Sequence, residues 1–380
     1  MQKENRLLDL LREMEEQGID ENDIRQNRIF SRVLNYKYRE NHIPESGVME
    51  LTPLCNLDCK MCYVHLRPEQ MEERTVLRGE QWIAWIDDAV DQGMLSVELT
   101  GGEAMLHPDF DDIYLHLLQK GVRVTVMTNG ILLNDKRIAF FCKYPPAAIQ
   151  ITLYGASEET YETVTGKSMY GKVMHNLRKA KEIGCHLGIS ITPSRYFGVE
   201  DAKKIRAFTQ KEGMQLTINN DLNEPRGDTG RSLSQFSLEL DEYIRIHKGL
   251  QSVATETVSL TQVPEPGTAQ EEQRGLLCSA GRSMFCITWE GFMKMCFDLP
   301  ESVDLKEISF HEAWNKLYAL AEFYLIPREC GNCAYQEACN RCPAIHMQNA
   351  PLGHADRHIC HRTRCMAAEG LIRWEEKNEV

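Results

Sequence analysis

At 380 residues, with 42% hydrophobic residues, the chain has length for more than one domain and a substantial core. Its net charge of −13 argues against a nucleic-acid surface, which carries a basic excess or stripe. Residues 1–20 are charged and lack the apolar centre of a signal peptide, and no run is long enough to span a bilayer. A cytoplasmic protein is expected, in which the fourteen cysteines serve as metal ligands rather than disulfide partners.

Residues 1–46 read as a helical segment. Leu7, Leu8, Leu11 and Met14 recur at helical spacing, Gly18 offers a stop, and Ile24, Ile29, Phe30, Val33 and Leu34 continue on a second helix. A cap beneath the next domain is the plain reading, and a docking element for a peptide is the sharper one.

Val48 to Leu51 is an apolar run that reads as a strand. It leads into Pro53-Leu-Cys55-Asn-Leu-Asp-Cys59-Lys-Met-Cys62-Tyr63, with cysteines at C-x3-C-x2-C spacing. Three thiolates fall short of a tetrahedral zinc site or a fully ligated cluster. A [4Fe–4S] cubane held by three of them keeps one iron open, and an open coordination site is where chemistry occurs.

From residue 47 to about 225 strands and helices alternate. Leu95–Leu99, Val122–Met127, Ala148–Leu153, Leu187–Thr192 and Gln215–Asn219 read as strands. Between them, Trp82, Ile83, Trp85, Ile86 and Val90 share one helix face, and a helix starting at Pro108 carries Phe110, Ile113, Leu117 and Leu118. Two later helices carry Val173, Leu177 and Ala180, then Ala202, Ile205 and Phe208. Such a repeat demands right-handed crossovers and a parallel sheet, with functional groups at the strand C-terminal ends. The expected strand ends are Thr100-Gly101-Gly102-Glu103, Thr128-Asn129-Gly130, Thr152-Leu-Tyr154-Gly155, Ser190 with Thr192, and Asn219-Asn220-Asp221. Two successive glycines let the backbone approach a ligand closely, and a carboxylate beside them can accept from an ammonium group. Hydroxyls on strands are as often bonded to the backbone inside a sheet. Cys142 and Cys185 stand singly and read as buried structural thiols.

Residues 226–274 form a linker, with a helix over Leu238–Leu250 overlapping it. Nine cysteines follow within the last 103 residues. Cys278, Cys286 and Cys296 surround a β-hairpin turning on Glu290-Gly291. Cys330, Cys333, Cys339 and Cys342 come next, and then Cys360 and Cys365. Soft thiolates at this density select zinc or iron–sulfur, and C-x2-C repeated in this way is also zinc-ribbon spacing. His346, His354, His358 and His361 read as surface groups or supports of ligands.

The cysteine loop, the Gly101-Gly102-Glu103 turn and the Thr128-Asn129-Gly130 strand end resemble the radical S-adenosylmethionine (SAM) superfamily. The later cysteine block resembles the SPASM extension found in its peptide-modifying members. The resemblance implies an α/β protein: a partial (β/α)6 barrel over 47–225 and a cysteine-rich α+β extension with a β-hairpin over 275–380. It implies a SAM-binding [4Fe–4S] cluster on Cys55, Cys59 and Cys62. SAM would be bound by Gly101, Gly102, Glu103, Thr128, Asn129, Thr152, Ser190 and Thr192.

One or two auxiliary [4Fe–4S] clusters are implied as well. Cys278, Cys286, Cys296 and Cys342 would hold the first, and Cys330, Cys333, Cys339 and Cys360 the second. Cys286 can equally be a core residue, and Cys365 can stand in for Cys360. Where the family has an aromatic residue before its third cysteine, this chain has Met61. Its final C-x2-C spacing is also one residue shorter than the family's. The base that some relatives carry directly after the hairpin cysteine is replaced by Phe297, leaving Asp298 as the nearest candidate.

The implied activity is reductive cleavage of SAM and hydrogen abstraction from a peptide or protein, giving a thioether, a carbon–carbon cross-link or an oxidised side chain. A flavodoxin- or ferredoxin-type protein would donate the electron, with no nucleic acid and no membrane involved. A small-molecule substrate of cofactor or haem biosynthesis is the alternative. A non-catalytic iron–sulfur or zinc scaffold is a further one, and it leaves Gly101-Gly102-Glu103 without a role.

Overall fold

The computed structural model describes residues 34–64, 66, 68–71, 74–219, 222, 223, 225, 232–250, 276, 278–330, 333, 335, 339 and 341–372. The helical reading of residues 1–33, most of the linker, and Asn220 and Asp221 lie outside that set.

Six strands follow in order: β1 (Ser46–Thr52), β2 (Ser96–Gly101), β3 (Arg123–Thr128), β4 (Ala148–Thr152), β5 (Leu187–Ile191) and β6 (Gln215–Ile218). The helices among them are α1 (Gly79–Asp91), α2 (Phe110–Gln119), α3 (Asp135–Lys143), α4 (Glu158–Thr165), α5 (Tyr170–Glu182) and α6 (Val199–Glu212). Each strand pairs in parallel with the next. This is the (β/α)6 arrangement expected from the alternation.

Side chains alternate between the two faces of a strand. Met49, Leu51, Leu99, Val126, Ile151 and Ile189 are fully buried in the core that the helices cover. The intervening positions, among them Glu50 opposite Thr100 and Thr152 opposite Ser190, take the other face. On α1, Trp82, Trp85, Ile86 and Ala89 are the buried stripe, and the two tryptophan rings meet edge-on at 5.5 Å. The helix expected at Pro108 begins at Phe110, after Asp109, whose carboxylate accepts from Gly79 N at the start of α1 (2.8 Å). Ser157 caps α4 by accepting from Thr160 N, and Gly166 ends it in the left-handed conformation.

The chain then forms α7 (Leu240–Leu250), β7 (Met284–Ile287), β8 (Phe292–Lys294), β9 (Ser302–Asp304), α8 (Phe310–Ala321) and α9 (Arg357–Ala368). The expected hairpin is present. β7 and β8 are antiparallel, and Gly291 turns between them at φ +90°. Its attachment is not readable from local pattern: β7 lies parallel to β1, so one sheet runs β6-β5-β4-β3-β2-β1-β7-β8-β9.

The contact depends on Gly47 of β1, where a Cβ would come within 2.7 Å of the Phe285 ring. Phe285 is fully buried, edge-on to Phe310 (5.0 Å) and to Trp314 (6.4 Å) of α8. Residues 34–40 are helical and tie to the same region: Arg39 donates to Leu276 O, and beyond that helix His42 O accepts from Trp314 Nε1 (2.7 Å). Among the described residues, no helix is long and apolar enough to cross a membrane.

Candidate active site

The cysteine loop leaves the C-terminal end of β1 and is pinned on two sides. Toward β2, Gly102 N donates to Thr52 O (2.7 Å) and Glu103 N to Leu54 O (2.8 Å). Toward α4, Asp58 N donates to Thr165 O (3.0 Å) and Lys60 N to Val164 O (2.9 Å). Leu57 and Met61 anchor the loop in the core. Met61, where the family carries an aromatic residue, is therefore a packing residue here.

Cys55, Cys59 and Cys62 lie near enough that Cys62 raises both other thiols and Cys55 raises Cys59. Burial pushes the Cys55 thiol up to about 12, and Glu103 and Cys62 add to the shift. Burial also raises Cys59 well above its ordinary value, with Cys62 and Cys55 next in effect. Neighbouring thiols of which two are strongly dehydrated are costly as free thiolates. Cationic iron removes that cost, so the donor set fits a cluster. Among the described residues no three ligating side chains converge on a single ion, whereas the thiolates of a cubane bind separate irons.

Glu103 is 1% exposed. Its carboxylate accepts from Thr128 Oγ1 (3.0 Å), Asn129 N (3.0 Å) and Met105 N (3.4 Å). A carboxylate has about four acceptor positions, so one is left for a ligand ammonium. The two glycines bring this carboxylate to the cysteines, since a Cβ on Gly102 would sit 2.4 Å from Leu54 O. Thr128 and Asn129 are thereby fastened to the same corner.

Burial pushes Glu103 up to about 7 from its ordinary 4.5, while its three donors pull the other way. Between those pH values the folded chain holds a proton that the unfolded chain has lost. Its contribution to stability is therefore complete below about 4.5 and disappears as pH rises through about 7. In metal-free protein, the stability of wild type relative to Glu103→Gln, measured by denaturant titration, should fall by about 2–3 kcal/mol between pH 5 and pH 8. A constant difference would mean that the carboxyl is not held protonated.

The other expected SAM contacts are more dispersed. Thr152 Oγ1 and Ser190 Oγ bond each other across β4 and β5 (2.9 Å), and Asn219 Nδ2 donates to Thr192 Oγ1 (3.3 Å).

In the extension, the thiols fall into two groups. Cys333 and Cys339 lie near enough to raise both Cys330 and Cys360. Burial first, then Cys339, Cys360 and Cys333, pushes Cys330 up to about 12. In the other group, Cys342 is raised by burial and then by Cys278 and Asp298, and Cys296 is pushed up to about 12 by burial, Asp298 and Cys342. Asp298 N donates to Cys296 Sγ (3.3 Å). Cys286 lies on β7, fully buried, and is raised by burial, then Cys296, Glu50 and Glu98. Cys365 stands beside His361 on α9, sulfur to Nε2 at 3.8 Å. Cys142 is exposed rather than buried, and half-buried Cys185 is raised by burial and then by Cys142.

Residues 49–208 match the Radical SAM superfamily, over the strands and loops just described. This segment is a radical SAM domain. Among curated relatives, the antilisterial bacteriocin subtilosin biosynthesis protein AlbA of Bacillus subtilis (strain 168) is 24% identical over 281 residues, covering 73% of this chain and 60% of AlbA. A probable GTP 3′,8-cyclase of Saccharolobus islandicus (strain M.14.25 / Kamchatka #1) is 33% identical over 136 residues, covering 35% of this chain and 42% of the cyclase. The chain thus spans about three-fifths of the first and two-fifths of the second. In fold, it is similar to Streptococcus suis SuiB bound to S-adenosylmethionine, with a TM-score of 0.65 at 17% identity, covering 94% of this chain and 87% of SuiB. That likeness extends through the radical SAM domain into the cysteine-rich extension.

Sequence reading missed Tyr154 as a cysteine neighbour: burial raises its hydroxyl, and Cys59, Cys55 and Cys62 add to the shift. The only signal was its place at a strand end.

Proposed function

We propose that the chain is a radical SAM oxidoreductase that modifies a peptide or protein in the cytoplasm. The observation that carries the reading is the trio Cys55, Cys59 and Cys62 fastened beside Gly101-Gly102-Glu103 at the strand C-terminal ends. Cys55, Cys59 and Cys62 would hold a [4Fe–4S] cluster. When bound, that cluster supplies the electron that splits SAM to methionine and a 5′-deoxyadenosyl radical, able to take hydrogen from a strong C–H bond.

The chain's own residues do the rest. Glu103, with the backbone of Gly101 and Gly102, receives the amino end of SAM, and Thr128 and Asn129 hold Glu103 in place. Thr152, Ser190 and Thr192 are polar groups along the β4 and β5 ends, placed toward the remainder of SAM. In the extension, Cys330, Cys333, Cys339 and Cys360 are assigned to one auxiliary cluster. Cys278, Cys296 and Cys342 are assigned to another, with Cys286 its fourth candidate ligand. Asp298 is the candidate base beside that second site. A flavodoxin- or ferredoxin-type donor supplies the electron.

A peptide substrate is supported by the likeness to AlbA, a bacteriocin biosynthesis protein, over 73% of this chain. A probable GTP 3′,8-cyclase of Aeropyrum pernix is similar over 63% of it, so a small-molecule substrate is the reading the test has to separate. The test is incubation of anaerobically reconstituted, reduced protein with SAM and the short peptides encoded beside its gene. The expected result is 5′-deoxyadenosine together with a peptide mass change consistent with lost hydrogen. Nucleoside with every peptide unchanged would turn the substrate toward a small molecule. No nucleoside would remove the enzyme reading.

A further inference from the structure

Within the barrel, β6 and β1 lie at opposite ends of the strand order. The extension reaches both of them. β7 pairs with β1, while α9 and residues 345–349 come to the far side, past the ends of β5 and β6. A cavity of about 360 Å³ lies there between barrel and extension, and the SAM corner makes no use of it. Pro193, Leu222, Leu238 and Tyr243 belong to its barrel wall, and Ile359 and Arg362 of α9 to its extension wall. Lys248 of α7 pairs with Glu369 just beyond α9 and joins the two walls.

Asp356 fixes the extension wall. Its Oδ1 accepts from His358 N (2.8 Å), its Oδ2 accepts from Asn349 Nδ2 (2.9 Å), and its own N donates to His346 Nδ1 (3.0 Å). Among the described residues the lining holds no other acid, and both oxygens of this one are engaged within the wall. Arg362, one turn further along α9, carries the opposite charge. Its guanidinium lies over the Tyr243 ring at 5.1 Å, which sets it against the apolar wall. A guanidinium held in this way presents a planar fork of N–H groups that matches a carboxylate. Along its length α9 carries Arg357, Arg362 and Arg364 and no acidic residue, in a chain of net charge −13. A local basic excess beside apolar side chains complements an acidic segment with apolar neighbours.

We propose that this cavity docks an acidic segment of the peptide substrate, with a glutamate or aspartate carboxylate received by Arg362 and an adjoining apolar side chain resting on Leu238, Tyr243 and Ile359. The proposal rests on the peptide reading above. It names what the protein selects in that peptide, and it places the selection outside the corner that receives SAM.

The test is fluorescence anisotropy on the full-length, cluster-loaded protein, without SAM or reductant. The probes are a short fluorescein-labelled peptide of alternating leucine and glutamate and its counterpart with glutamine for glutamate. Wild type should bind the glutamate peptide about tenfold more tightly than the glutamine one, or better. Arg362→Gln should remove that preference at equal iron content. Leu238→Glu sets a like charge on the opposite wall and should remove it too, and it carries the test if Arg362→Gln does not load iron. Arg364→Gln is the control, an exposed change on the same helix outside the lining, and should keep the preference. No preference in wild type, one that survives both wall variants, or one lost equally in Arg364→Gln would overturn the proposal. Because binding is read without turnover, the peptide reading stands or falls separately, on the mass change described above.

Discussion

A Cys55/Cys59/Cys62→Ala variant is expected to bind about four fewer irons per chain than wild type and to form no detectable 5′-deoxyadenosine from SAM and dithionite. With both thiol groups of the extension ligated, the change is from about twelve irons to about eight. A wild type that already holds about eight, falling to about four, would mean one auxiliary cluster. Cys286 would then be the residue to question, since it sits fully buried on β7 with Glu50 and Glu98 near it. The iron loss should be complete rather than graded. Each thiol is held by a loop with its own backbone anchors to Thr165 and Val164, and no other thiol in the barrel can replace it. Cys142 and Cys185 lie against each other, away from that loop. Zinc in place of iron, with no nucleoside, would reverse the functional conclusion.

Gly102→Ala should leave the iron content near that of wild type and lower the rate of SAM cleavage by about a hundredfold or more. The added Cβ would meet Leu54 O at 2.4 Å and Pro53 O at 2.7 Å. Both obstacles are backbone atoms, so no rotamer change relieves them. The turn after β2 must move away from the cysteine loop, breaking the Glu103 N to Leu54 O bond and withdrawing Glu103 from its corner. Overpacking of this kind also costs about 1–3 kcal/mol of stability. Gly121→Ala is the comparison. Its φ of +76° carries backbone strain, but a Cβ there meets nothing within 4 Å. It should lose about 1–2 kcal/mol of stability and keep the SAM cleavage rate. Equal losses of rate in the two variants would mean that destabilisation, not displacement of Glu103, is responsible.

The legible part of this protein is what short-range pattern encodes. Alternating runs such as Val122–Met127 and helix faces such as Trp82, Trp85 and Ile86 need only their own period to be recognised, and the barrel followed from their order. Cys55, Cys59 and Cys62 stood out because three cysteines on one loop stay near one another whatever the rest of the chain does. Gly101-Gly102-Glu103 was identifiable because two glycines before a carboxylate permit a close approach that other residues forbid. The hairpin at Glu290-Gly291 was visible for the same reason, a turn being a local event.

Tertiary structure alone decided the rest. Pairing of β7 with β1 joins residues far apart in the chain and depends on a Phe285 ring lying over Gly47, a fit that no local period announces. Glu103 bonds to Thr128 and Asn129 only because parallel pairing places consecutive strand ends side by side. Which thiols of the extension belong together likewise depends on the path between them. The sequence by itself determined the kinds of groups and the local loops that carry them. Long-range packing determined their partners, because a contact between distant residues is specified by the shape of the whole sheet and not by the residues on either side of it.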